Sequence, residues 1–495
     1  MEKFAIIFLF FLVVWPGRAI AGTPDAVTAP PERIAVIGAG IGGAAAAHFL
    51  RQYFGHNTQI DVYESGSVGG RLAKTTISGQ DHEIGGATIH PLSLHMKEFV
   101  QLLGLKELQH PNNLLAVYDG EQFVFEESEW FIVNFVKLIW RYGFDFLRVK
   151  MWLENYQHKF MRIYQHQALG YSFTTMEKLL QALGGDKLSK MTKHSIDEAL
   201  QEIGVSQRFI DEMVGPVIRL TSGEGVNVNA FVGMTSLSET ESDLWTVEEG
   251  NQMVCSGLLY SAKVSLIKGK VTSIEAKKRP RQDGEVVTSY EVNYLAGPDT
   301  GYGMYDIVVV ATPLHRGDPE IHFHAFSQPI DVVRGQYQQK VVTLVEGHLN
   351  TSFFNYHGAE PFRPTTVATT IHSGNFILGA SVSVPIVRGE APARVWRVLS
   401  PEPLGEEGLR HLFRSHTAMH QAQWFAHPRY SPDDRVPPFV LHDHLYHLNA
   451  IEWAASTVEM MAIAAKNGAL LAHHRWYRQL DKIDQDPLQK LKVEL

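Results

Sequence analysis

Cysteine is almost absent: Cys255 is the single one in 495 residues. No internal disulfide can form, so stability must come from a large apolar core. Cys255 lies in Met-Val-Cys-Ser-Gly-Leu-Leu, an apolar helix-like run, and reads as a small core residue, not a nucleophile. A basic excess is also missing. Lys and Arg number 44 against 53 Asp and Glu, a net charge of −9, which argues against nucleic acid as a partner. Beyond the N-terminal segment no run reaches 18 apolar residues, so the mature chain is expected to be soluble. There is no convincing catalytic triad, phosphate-binding P-loop or metal site. The best metal-like cluster, His442-x-His444-x-x-His447, would put two rings on one face of a strand and the third on the other. No cysteine or carboxylate completes it, so it reads as structural.

What the chain does have begins with a targeting segment. An apolar core, Phe4–Trp15, is followed by Ala19-Ile20-Ala21, a small-x-small cleavage pattern. Residues 1–21 are therefore expected to be a signal peptide, with the mature chain starting at Gly22. Asn350-Thr351-Ser352 is a glycosylation sequon. The last residues, Lys492-Val493-Glu494-Leu495, approximate an endoplasmic-reticulum retention signal with Val in place of Asp. The expected location is the secretory pathway, ending in the lysosome or outside the cell, with retention through the tail as the alternative.

Residues 33–71 carry the most information. Ile34, Val36 and Ile37 make a β-branched run, the mark of a buried strand. Gly38, Gly40 and Gly43 follow as Gly-x-Gly-x-x-Gly. Gly38 permits the tight turn, Gly40 lets the backbone approach a pyrophosphate, and Gly43 lets the next helix pack close. That helix, expected over Gly43–Phe54, aims its N-terminus at the phosphates. A second strand, Gln59–Tyr63, leads to Glu64, 21 residues after Gly43. A carboxylate there can accept hydrogen bonds from an adenosine ribose, which favours FAD or NAD over NADP. Gly69-Gly70-Arg71 separates FAD from NAD. Its glycines let the backbone run against the cofactor, and the Arg71 fork can hold the pyrophosphate. A second pair, Gly85-Gly86, reads either as small residues passing the flavin ring or as an ordinary turn. His90, just behind it, reads as a hydrogen-bonded structural histidine.

Further along, helix-like spacing covers 92–105. Trp130–Gln167 is an aromatic-rich helical region interleaved with Lys and Arg. It is either the core of a helical subdomain or a cap that lines an apolar channel or touches a membrane surface. A helix is expected over Gln252–Ala262, a strand over Lys270–Ile274, a surface hairpin over 277–303, and a buried strand in Tyr305–Val310. Strands at Lys340–Val345, Thr366–Thr370 and Val395–Leu399 suggest an antiparallel sheet. A strand Leu445–Asn449 and a helix Val458–His473 close the chain. The N-terminus of that helix would direct N–H groups at a reduced flavin ring.

Together these segments closely resemble the prenylcysteine oxidase family of FAD-dependent oxidoreductases, from about Arg33 to Leu495. The most specific stretches are Ile84–Met96, Phe125–Gly143, Trp152–Tyr164 and Glu452-Trp453-Ala454-Ala455-Ser456 onward. The resemblance implies an α/β fold: a Rossmann-type FAD-binding domain of the amine oxidase kind, interleaved with a mixed sheet and helical substrate domain. Residues 30–105, 243–320 and 435–478 would form the first, 106–242 and 321–434 the second, and 479–495 a tail. It places Val271 beside the adenine and adds Glu452, Thr457 and Val458 to a cofactor set of Gly38, Gly40, Gly43, Glu64, Gly70 and Arg71. The implied reaction is oxidative cleavage of the thioether of farnesyl- or geranylgeranyl-cysteine with O2, giving cysteine, a prenyl aldehyde and hydrogen peroxide. The alternative is a relative with another apolar substrate, or a non-enzymatic lipid-binding role with membrane or lipoprotein contact. No residue is marked as catalytic or as a covalent flavin anchor. The chain departs from the family twice. Glu249-Gly250-Asn251 stands where Gly-Gly-Asn is usual, and Ser222-Gly223-Glu224 where Tyr-Gly-Gln is usual.

Overall fold

The computed structural model describes residues 29–485 apart from 112, 241–242, 281–285, 316–320, 331–334, 357–360, 375 and 388–393. The signal segment 1–21 and the tail Lys492–Leu495 lie outside the described residues.

The β-branched run Arg33–Ile37 is a strand near the centre of a six-stranded sheet. The order across that sheet is Val440–His442, Leu445–His447, Ile307–Val310, Arg33–Ile37, Gln59–Glu64 and Ser265–Lys268. Every neighbouring pair is parallel except the first. Parallel strands need crossovers, and the Ala-rich helix Ile41–Phe54 supplies the first of them. It starts two residues before the expected Gly43, and the helices Gln252–Ser261 and Val458–Trp476 pack beside it. The opposite face is covered by a four-stranded sheet, Lys270–Pro280, Val286–Ala296, Asp299–Tyr305 and His322–His324. Ile274, Tyr290 and Val292 from this sheet pack on Ile37, Tyr63 and Val310. The central strands are thus buried on both faces, which is why their sequences read as unbroken apolar runs. Residues 277–303 form more than the expected surface hairpin. They contribute to three antiparallel strands, one face of which is core through alternating Tyr290 and Val292.

The second frame is a seven-stranded sheet in the order Phe413–Pro428, Tyr337–Leu349, Val395–Ser400, Gly379–Val382, Thr366–Thr369, Leu115–Tyr118 and Phe123–Glu126. The expected antiparallel pairing holds for its later strands, but Thr366–Thr369 runs parallel to Leu115–Tyr118. The aromatic region resolves into helices Phe131–Tyr142, Asp145–Phe160 and Arg162–Ala168. The helix Gly215–Ser222 packs on Thr366–Thr369 and on the helix Ala230–Ser238, which in turn packs on Asp145–Phe160.

The histidine cluster is built differently from the expectation. Val440–His442 and Leu445–His447 are two strands of a hairpin, and a 3-10 turn, Leu448–Trp453, follows. His442 and His447 therefore lie on different strands, and strand alternation does not relate them. His442 shares a hydrogen bond with the Tyr290 hydroxyl at 2.9 Å. Cys255 is fully buried, and burial pushes its thiol up to about 12. Among the described residues no helix is long and apolar enough to cross a membrane.

Candidate functional site

A chamber of about 1820 Å³ runs between the two frames, from Gly38 and Glu64 at one end to Phe131 and Phe209 at the other. Pockets for one small ligand are typically 300–1,000 Å³, so this chamber has room for a dinucleotide and a second molecule.

The glycine end is made largely of backbone. Gly38 has φ +104°, and a Cβ there would sit 2.9 Å from the Ala311 carbonyl oxygen. A Cβ on Gly43 would sit 1.8 Å from the Gly38 carbonyl oxygen, so glycine there lets the helix lie against the turn. Gly40 differs. A Cβ there would meet only the Gly69 carbonyl oxygen, at an ordinary 3.6 Å, and Gly40 lines the chamber. Protein packing does not demand glycine at 40, but an occupant pressed against the backbone would. The helix that follows has no side-chain cap, so its first-turn amides are available to an anion. Glu64 is held by two backbone amides, Ala39 N–H to Oε2 at 2.8 Å and Gly66 N–H to Oε1 at 2.7 Å. A carboxylate has about four acceptor positions, so it keeps capacity for ribose hydroxyls. Val271 lines the same end, just past Gly269, whose amide bonds the Glu64 carbonyl.

A second helix N-terminus closes on the chamber. Ser456, Thr457 and Val458 line it, and the Thr457 hydroxyl caps the helix by accepting from the Met460 amide at 3.2 Å. Between the two helices stands Arg71. Its fork donates to Glu452 Oε1 and, at 2.5 Å, to the Ala426 carbonyl. Two of its five N–H donors are thereby used, which fixes the guanidinium at the chamber wall. Glu452 is wholly buried and also accepts from the Tyr337 hydroxyl at 2.8 Å. It lines the chamber wall and holds Arg71 there. The second glycine pair is tied down by Asn251, whose amide donates to the Gly86 carbonyl at 2.8 Å. Gly85 is required there, since a Cβ would lie 1.9 Å from the Arg71 carbonyl oxygen. His90 sits in the next turn, its Nδ1 accepting from the Leu92 amide at 3.1 Å. Asn350 is remote, with Nδ2 donating to the His411 carbonyl at 2.9 Å.

The sequence reading offered the Trp130–Gln167 region as a channel lining, and Phe131, Phe146, Val149 and Leu153 do line the far end, but it missed what lies at the middle. On the seven-stranded sheet Lys340, Arg397, Val342 and Leu399 face the chamber, at the two-residue spacing of a strand. Glu239 joins them from the end of the helix Ala230–Ser238. Burial pulls Lys340 down to about 8 against the pull of Glu239, and Arg397 down to about 10. Glu83 is pushed up to about 7 by burial. Beyond this group Phe146, Val149, Leu153, Met213, Val217 and Leu220 form an apolar strip of the wall, flanked by Lys150, Glu154 and Gln157. The missed signal was a charged residue at an inward position of an otherwise apolar strand: Lys340 in Gln-Lys-Val-Val, Arg397 in Val-Trp-Arg-Val.

Residues 125–485 match the prenylcysteine lyase family, and residues 36–103 match an NAD(P)-binding Rossmann-like domain. The chain belongs to the prenylcysteine lyase family. Within that family it is 47% identical to Prenylcysteine oxidase 1 of Homo sapiens over 494 residues, 98% of each chain. It is 46% identical to Prenylcysteine oxidase 1-like of Bos taurus, over 96% of this chain and 97% of that one. Two solved structures share the fold at low identity. Putrescine oxidase bound to putrescine matches with a TM-score of 0.58 and 14% identity, over 88% of this chain and 98% of that one. A putative protoporphyrinogen oxidase from Exiguobacterium matches with 0.57 and 12%, over 90% and 98%. The Rossmann-type fold expected for this lyase-family chain is thus the observed one.

Proposed function

We propose that the chamber holds FAD at its glycine end and a prenylated cysteine at its apolar end, and that the protein cleaves the thioether oxidatively with O2. The products are cysteine, a prenyl aldehyde and hydrogen peroxide. The observation that carries this is Gly40, a glycine that packing does not require, at the N-terminus of the helix Ile41–Phe54 in a chamber that a second helix N-terminus also lines and that continues into the cap. FAD, when bound, supplies the two-electron acceptor. The protein's own groups do the rest. The first-turn amides of Ile41–Phe54 and the Arg71 guanidinium balance phosphate charge, with Gly38, Gly70 and Val271 shaping the backbone around them. Glu64 takes the ribose, Glu452 orients Arg71, and Thr457–Val458 present amides where negative charge develops on reduction. The cap walls exclude water and hold the prenyl chain, so the reacting carbon is positioned without a protein nucleophile.

The same reading gives the protein a phospholipid surface to work on. On the helix Phe131–Tyr142 only Tyr142 is buried. Ile132, Val133, Val136 and Trp140 share one exposed face, with Trp140 86% and Phe131 77% exposed. Phe131 also lines the chamber, so the chamber reaches the surface beside this patch. A prenyl chain could pass from lipid to the cap without crossing water. The signal segment routes the protein through the secretory pathway, where Asn350 would carry a glycan, toward the lysosome or the exterior.

The test is peroxide and aldehyde release from S-farnesylcysteine by the purified flavoprotein. Stoichiometric formation of both, with bleaching of the flavin absorbance when air is excluded, is the expected result. A flavoprotein that binds farnesylcysteine but stays oxidised without air would overturn the reading in favour of lipid binding alone.

A further inference from the structure

Lys340, Arg397 and Glu239 face the middle of the chamber beside Glu83, and among the described residues none of the three is ion-paired with another. Arg397 is fixed by carbonyl groups, donating through Nη1 to Glu83 O at 3.1 Å and through Nη2 to Gly85 O at 2.8 Å. Lys340 donates to the Thr221 carbonyl, which leaves two of its three ammonium protons for other acceptors. Glu239 is exposed, but its exposed surface faces the chamber, and its carboxylate accepts no hydrogen bond from the described residues. Each lies in the field of the others, with Glu83 also acting on Arg397, Glu224 on Lys340 and His90 on Glu239. Charges withdrawn from bulk water and only partly satisfied by neutral carbonyls are costly. A ligand carrying one charge of each sign would satisfy all three.

We propose that Lys340, Arg397 and Glu239 form a zwitterion subsite that takes the amino-acid head of the substrate, its α-carboxylate on Lys340 and Arg397 and its α-ammonium on Glu239. This rests on the prenylcysteine reading above and adds to it the residues that read the cysteine end. The placement suits the chemistry. The three charges stand between the Gly85-Gly86 pair and the apolar cap, and the thioether of a prenylcysteine stands between its charged head and its apolar tail. Anchoring both ends fixes the carbon between them. It also selects the free amino acid over a prenylated peptide, in which the α-amine is an amide.

The experiment measures peroxide release by the holoenzyme with S-farnesylcysteine, its N-acetyl derivative, which lacks the cation, and its methyl ester, which lacks the anion. Glu239→Gln should raise KM about tenfold or more for farnesylcysteine and for the methyl ester, and leave the N-acetyl derivative unmoved. Lys340→Met should raise KM for farnesylcysteine and the N-acetyl derivative and spare the ester. In both variants kcat should change less than KM. Equal shifts across the three compounds, or none, would overturn the subsite while leaving the function standing. A wild-type holoenzyme inactive on all three would overturn the function and the subsite with it. Flavin occupancy and melting temperature are followed in each variant. Since the Glu239 carboxylate accepts no hydrogen bond from the described residues, Glu239→Gln carries the test alone if Lys340→Met does not fold.

Discussion

At the glycine end of the chamber the groups that face inward are mostly backbone, set by Gly38, Gly40, Gly43, Gly69 and Gly70 and by two helix starts. Toward the cap end they are side chains: Lys340, Arg397 and Glu239, then an apolar strip flanked by Lys150, Glu154 and Gln157. The first kind of site depends on where the chain turns. A turn needs particular residues at fixed spacing, so substitution is tolerated only where the added atom finds room. The second kind depends on which strands lie side by side, and its members come from positions 239, 340 and 397 with no spacing in common.

The sharpest way to break this comparison lies within the fingerprint. Gly43→Ala places a Cβ 1.8 Å from the Gly38 carbonyl oxygen, which is backbone and cannot swing aside. The cost should exceed the roughly 1–3 kcal/mol of ordinary overpacking, and the variant should melt far lower or fail to fold. Gly40→Ala finds only the Gly69 oxygen at 3.6 Å. It should fold with near-normal stability and lose FAD, read as the absence of flavin absorbance after dialysis. If both variants keep flavin, the glycine end does not contact the cofactor through its backbone.

The same contrast explains what was legible in the sequence. The strand Arg33–Ile37, the glycines, the helix and Glu64 were readable because they are consecutive, and local geometry dictates each residue type. Arg71 lines the chamber, but its buried partner Glu452 lies 381 residues away, and no local pattern announces that pairing. Lys340 and Arg397 were invisible for the same reason, since sheet register alone brings them to one face. The hairpin at Val440–His447 was misread as a single strand because a tight turn at Asp443-His444 carries neither glycine nor proline.

Glu224 tests how strongly the side-chain end depends on charge. It stands where the family tends to carry Gln, its carboxylate accepts from the Tyr430 amide at 3.2 Å, and burial pushes it up to about 7. A carboxyl whose folded value lies above its unfolded one adds stability that is complete below about 4.5 and is lost as pH rises through about 7. Glu224→Gln should therefore flatten the fall in melting temperature across that window. The difference at pH 8 should be at most about 3 kcal/mol in favour of the variant. Parallel curves for the two proteins would show that Glu224 ionises without cost and that the cap end is well hydrated.

Trp140 lies outside the chamber, and its effect should be confined to the lipid surface. Trp140→Glu should weaken sedimentation with phospholipid vesicles about tenfold or more, since burying an aromatic side chain contributes roughly 1.5–3 kcal/mol. Folding stability should move by less than about 0.5 kcal/mol, because the ring is 86% exposed. Unchanged sedimentation would detach the patch from membranes and leave the cap end as an ordinary mouth.

The smallest effect belongs to the one place where the glycine end carries a side chain against its backbone. Glu249, where the family usually has glycine, has φ +70°, and Gly250 follows at +110°. A residue with a Cβ is disfavoured in the left-handed region by about 1–2 kcal/mol. The turn holds that shape because Asn251 fastens it from behind, accepting from the Val247 amide at 2.9 Å and the Thr246 hydroxyl at 3.0 Å while its own backbone amide donates to Glu83 at 2.5 Å. Glu249→Gly removes the strain, but glycine also gives the unfolded chain more freedom. The net gain should be about 0.5–1 kcal/mol in urea unfolding, with flavin retention unchanged. The carbonyl of residue 249 still accepts from Lys74, so no backbone contact is lost. A loss of stability would mean that the Glu249 side chain contributes more than its conformation costs. The glycine end would then depend on side chains as the cap end does.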